Sequence, residues 1–118
     1  MVVLAAVNST GYKIVLLIHV LAVITAKPGQ RDAVLEHFRA NVPSVLAEDG
    51  CIAYGAAIDV DAGPSFQAKH GPDSFVVVEQ WTSMDALKAH AAAPHMASYA
   101  AKTKDLVASR QIYILNPI

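Results

Sequence analysis

A chain of 118 residues fits one domain, and its nine basic and ten acidic residues (net charge -1) offer no field for nucleic acid or an anionic membrane. Only 16% of residues are charged and 54% are hydrophobic, too apolar a balance for a small two-layer domain wetted on every side. Part of that surface is therefore expected to meet a second subunit, making a homodimer. The single Cys51 excludes an internal disulfide or a thiolate metal cage, and it fits a reducing cytoplasm.

Residues 1–12 begin Met-Val-Val-Leu-Ala-Ala-Val, without the basic start of a signal peptide. They read as an extra edge strand or as an extension outside the fold, and residues 13–118 as the single domain. Residues 14–26 predict a strand, rich in Val and Ile and closed by Lys27-Pro28-Gly29. Its apolar run is broken by His19 and is too short to span a membrane. Both faces of this strand are apolar, yet a helix layer can cover only one.

A helix follows from Asp32, with Val34, Leu35, Phe38, Val42, Val45 and Leu46 at helical spacing. Pro43 lies inside that pattern and predicts a kink near residues 39–42 or two shorter helices, and Gly50 stops the element. Residues 51–60 read as a second strand and residues 61–74 as a loop. Residues 75–81 form a third strand with Phe75, Val77, Glu79 and Trp81 on one face. Thr82-Ser83-Met84-Asp85 is a helix start, and Pro94 opens a second helical segment carrying Met96, Tyr99 and Thr103. Residues 111–115 are the last strand. The order β-α-β-β-α-β predicts an α+β, ferredoxin-like antiparallel sheet with helices on one face, dimerising sheet against sheet.

Among five histidines, His37 and His70 read as surface residues. His19 reads as a hydrogen-bonded core residue or as part of a pocket. His90 shares a helical face with Ala86 and Leu87 and so points toward the sheet, as a general base or as a buried imidazole tied to a carbonyl. His95 follows five residues later across Pro94, and no third ligand has matching spacing for zinc. Glu79, if buried, needs an imidazole or phenol partner. Tyr54 and Trp81 supply flat aromatic walls, and Phe75 and Tyr99 are further candidates for the lining. No glycine loop for phosphate and no dinucleotide fingerprint appears, which disfavours flavin, nicotinamide and ATP.

Four stretches, Ile24-Thr-Ala-Lys-Pro-Gly29, Glu48-Asp-Gly-Cys-Ile-Ala-Tyr54, Phe75-Val-Val-Val-Glu-Gln-Trp81 and Ala86-Leu-Lys-Ala-His90 through Ala93-Pro-His-Met96, resemble the antibiotic biosynthesis monooxygenase domain family, including its quinol-monooxygenase-like members. The resemblance spans about residues 18–115. It implies a dimeric α/β barrel that oxidises small aromatic or quinol substrates with dioxygen and without metal, flavin or haem. Carried onto this chain, it makes His90 the base, has Trp81 and Tyr54 hold the ring, and gives His95 an orienting or proton-donating role. Glu79 would fix a tautomer. Likeness to haem degraders of this fold fails, because no asparagine lies within residues 19–25 and no histidine follows Met96. A non-catalytic ligand-binding or stress-response dimer, and an isomerase of a small carbonyl compound, stand as alternatives on the same fold.

Overall fold

A computed structural model describes residues 17–118. The readings made for residues 1–16, the extension and the start of the first strand, lie outside the described residues. The elements run β1 (Ile18–Ala26), α1 (Arg31–Leu46), β2 (Cys51–Ala57), β3 (Ser74–Trp81), α2 (Met84–Ala91), α3 (Pro94–Thr103) and β4 (Val107–Leu115). The strands form one sheet in the order β2-β3-β1-β4, antiparallel at every junction. This is the α+β, ferredoxin-like arrangement, with the second helix split at Pro94.

Strand alternation decides which side chains the helices cover. On β1, Val20, Ala22, Ile24 and Ala26 are buried, and the register aligns Val20 with Glu79, Ala22 with Val77 and Ile24 with Phe75. α1 lays Val34, Leu35, Phe38 and Val45 onto that surface. Phe38 is the aromatic hub: it stacks on Tyr54 at 5.2 Å and meets Phe75 and Tyr99 edge-on at 5.9 and 6.3 Å. Each such side chain taken fully out of water contributes about 1.5–3 kcal/mol before the cost of ordering it.

Three boundaries differ from the sequence reading. Pro43 does not divide α1, which runs on to Leu46. Pro43 is exposed, and its carbonyl still accepts the Ala47 N–H at 3.2 Å. β2 ends at Ala57 rather than residue 60, because its last partner is Val76, near the start of β3. β4 starts at Val107 rather than residue 111: Ser109 and Arg110 look polar in sequence but pair with Thr25 and Ile24.

No helix among the described residues covers the other face of the sheet. Val78, Leu21 and Tyr113 stand in one cross-strand row and are 42%, 38% and 49% exposed. On the helix side, Ile112 and Ile114 of β4 are also exposed.

Gly50, at the corner into β2, has φ +82°, a conformation that disfavours any side chain. A Cβ there would lie 2.5 Å from Thr82 Oγ1 and 2.6 Å from the Ala86 methyl. Gly50→Ala should therefore cost at least about 1 kcal/mol in urea unfolding. Gly29→Ala, at φ +77° but with open space around it, should cost less. Equal losses would assign the effect to backbone strain alone.

Candidate functional site

The site is assembled at the break between α2 and α3. The Ser83 hydroxyl accepts the Ala86 N–H at 3.1 Å, capping α2 and setting its rotation. That rotation turns His90, in the last turn, inward until it is 5% exposed. Pro94 opens α3, whose first turn carries His95. The loop between α1 and β2 delivers Glu48 beneath both rings.

Glu48 Oε2 lies 2.8 Å from His90 Nδ1 and 2.9 Å from His95 Nε2. A carboxylate oxygen only accepts, so each imidazole presents an N–H to it. His90 is thereby held with the proton on Nδ1 and its Nε2 lone pair free. Behind it the Trp81 ring lies 4.6 Å away, tilted by 36°, and Tyr54 meets it edge-on at 5.5 Å. His90 Nε2 is 4.0 Å from Glu79 Oε1, which accepts the Trp81 indole N–H at 2.9 Å.

Burial pushes the Glu79 carboxyl above its ordinary value, with the Trp81 hydrogen bond and His90 opposing that rise. Burial, reinforced by Glu79, holds the Tyr54 phenol far above its usual range. Tyr99 is raised by burial and restrained by Arg110.

A cavity of about 870 Å³ opens between the helical face of the sheet and helices α2 and α3. Its walls are mostly apolar, including Val20, Ala22, Phe38, Val77 and Met96, and its size suits a small organic ligand. Of the residues singled out from sequence, His90, Glu79, Tyr54 and Tyr99 line it.

Four others do not. Trp81 is fully buried and backs His90 and Glu79 rather than forming a wall. Phe75 is enclosed in the core against Phe38. His95 lines a separate polar groove of about 230 Å³ and reaches the site only through Glu48. His19 has the opposite strand parity from Val20, so it lies on the face of the sheet turned away from the helices. Its Nε2 is buried without a hydrogen-bond partner among the described residues.

Glu48 is the residue that the sequence reading missed as a site residue. It also supplies the third donor that sequence spacing withheld from a metal reading: Glu48, His90 and His95 offer three ligand atoms within 4.8 Å of one another. Two imidazoles and a carboxylate suit a divalent transition ion. The two hydrogen bonds to Oε2 already account for the arrangement without one.

Comparison with known proteins places this geometry in a lineage. Residues 17–102 match the family model described as antibiotic biosynthesis monooxygenase. The chain belongs to the antibiotic biosynthesis monooxygenase family. A relative in Escherichia coli K12, named probable quinol monooxygenase YgiN, is 46% identical over 100 residues, covering 83% of this chain and 95% of its own. A protein of the same name in Shigella flexneri matches equally. Among solved structures, PA3566 of Pseudomonas aeruginosa superposes with a TM-score of 0.73 at 27% identity, over 87% of this chain and 95% of that one. Rv0793 of Mycobacterium tuberculosis gives 0.71 at 25% identity, over 86% and 95%.

Glu79 yields a test of the site's electrostatics. A carboxyl whose folded pKa is raised keeps its proton in the native state where the unfolded chain, near 4.5, has lost it. Its contribution to stability therefore falls as pH rises from 4.5 through the folded value. Glu79→Gln keeps a carbonyl for Trp81 and removes that loss, so its advantage over wild type in urea unfolding should grow with pH across this window. The opposite slope would mean that His90, not burial, controls the group.

Proposed function

We propose that this protein oxidises a small quinol or polyhydroxylated aromatic with dioxygen, without metal, flavin or haem, and that His90 is the general base. The observation that carries the reading is the Glu48–His90 pair. It fixes the imidazole as the Nδ1–H tautomer and leaves Nε2 as a proton acceptor in the wall of an apolar cavity. The curated names of the Escherichia coli and Shigella flexneri relatives support the quinol assignment.

In this mechanism His90 Nε2 takes the phenolic proton, and Glu48 stabilises the charge that develops on the ring. The electron-rich anion then reduces dioxygen in a pocket that excludes water. One oxygen atom replaces a ring hydrogen and the other leaves as water. Two electrons come from oxidation of the quinol and two from hydroxylation of the ring carbon, so no external reductant is needed. Tyr54, whose phenol keeps its proton, and Tyr99 flank the ring. Glu79 faces the newly protonated Nε2 at 4.0 Å.

The working unit in this proposal is a homodimer in the cytoplasm. The apolar row of Val78, Leu21 and Tyr113 supports pairing sheet against sheet, and the free thiol of Cys51 suits a reducing compartment. Among the described residues no helix is long and apolar enough to cross a membrane.

Oxygen uptake by chelator-treated protein over a panel of reduced naphthoquinols, corrected for autoxidation, tests the chemistry. Uptake should fall by about 10²-fold or more in His90→Ala and in Glu48→Gln, the latter with KM little changed. Normal turnover in His90→Ala would remove the base, and product formed under nitrogen would mean isomerisation instead. Light scattering should give twice the 12.5 kDa chain mass at micromolar concentration, and a monomer would refute the paired sheets.

A further inference from the structure

The cavity is electrically lopsided along its depth. At its buried end the one acidic lining residue, Glu79, is 6% exposed and already engaged by Trp81. Three exposed cations also line the cavity: Lys88 from the last turn of α2, Lys104 just after α3, and Arg110 from β4. They come from three parts of the chain that the fold brings to one cavity. Arg110 pairs in register with Ile24, so it stands on the helical face of the sheet, and it is near enough to Tyr99 to act on that phenol.

Among the described residues none of the three forms an ion pair. Asp85 and Asp105 are the acids nearest to them in the chain, yet among the described residues ion pairs form only at His90 and His95. A chain with a net charge of -1 has thus gathered three of its nine basic residues around one pocket. An apolar channel with a proton acceptor at its base and unpaired cations at its rim is complementary to an amphipathic anion.

Resting on the oxygenase reading above, we infer that the substrate is an aromatic or quinol bearing a carboxylate-type anionic group. The ring lies against Tyr54 and His90, and the anion lies at the rim between Lys104, Arg110 and Lys88. The rim cations select the substrate and hold the ring with its hydroxyl inward, and they take no part in the proton transfer.

The test uses two naphthoquinols of equal length, one with a carboxypropyl tail and one with an uncharged butyl tail. Wild-type protein should favour the carboxylate by about tenfold in kcat/KM at low ionic strength, chiefly through KM, with the preference shrinking as salt is added. Arg110→Gln combined with Lys104→Gln should bring the ratio close to one. The charge-preserving pair Arg110→Lys with Lys104→Arg should keep most of it. Turnover of both compounds without preference overturns the anion rim and leaves the oxygenase reading standing. The corresponding quinones, which have no phenolic proton to give, are measured in parallel by calorimetry. A tenfold tighter fit of the carboxylate there supports the rim even if neither quinol is oxidised, and equal affinity overturns it.

Discussion

Everything at this site hangs on one oxygen atom. Glu48 Oε2 accepts N–H groups from two imidazoles carried by different helices, and the two contacts together tie the end of α2 to the first turn of α3. A largely buried carboxylate with such partners is stable in place; with either partner removed it is left with a single donor. The geometry is thus cooperative: the ring proposed as the base is held by an acid that a second ring helps to hold.

The fold around that oxygen is arranged to deliver it. Glu48 comes from the corner between α1 and β2, and Gly50 lets the chain turn tightly enough for Thr82 to bond the Gly50 carbonyl at 2.9 Å. That bond ties the corner to the start of α2, eight residues before His90 in the chain. Trp81 closes the assembly from the sheet side, filling the space behind His90 and holding Glu79 through its indole N–H. A residue with no exposed surface therefore shapes the polar chemistry of the pocket.

The sequence announced the architecture more fully than the site. Val- and Ile-rich runs punctuated by Pro and Gly give the element order, and Pro94 and Ser83 mark their helix starts correctly. Pro43 does not split the helix, because a solvent-facing proline in the final turn leaves it enough other hydrogen bonds to continue. Ser109 and Arg110 misled at β4, since an edge strand tolerates polar side chains. His90 was legible from helical spacing alone. Glu48 was not: it meets His90 across 42 residues, and Asp49-Gly50 beside it look like an ordinary turn. Alternation put Glu79 and Trp81 on one face, but it carries no depth, so it could not say which of them reaches the cavity. Parity had already separated His19 from Val20; only the packing of the helices shows which face holds the pocket.

The buried phenol of Tyr54 has a consequence for fidelity. The imidazole proposed as the base stands 5.5 Å, ring to ring, from a phenol of the protein itself. Were the two phenols equally acidic, each proton drawn from Tyr54 would be a wasted encounter, and the resulting phenolate would be an electron-rich target for oxygen. Burial and the nearby Glu79 carboxylate make Tyr54 the much weaker acid. Under the proposed mechanism the same pocket sorts two phenols by acidity, and its own side chain is spared the oxidation proposed for a guest.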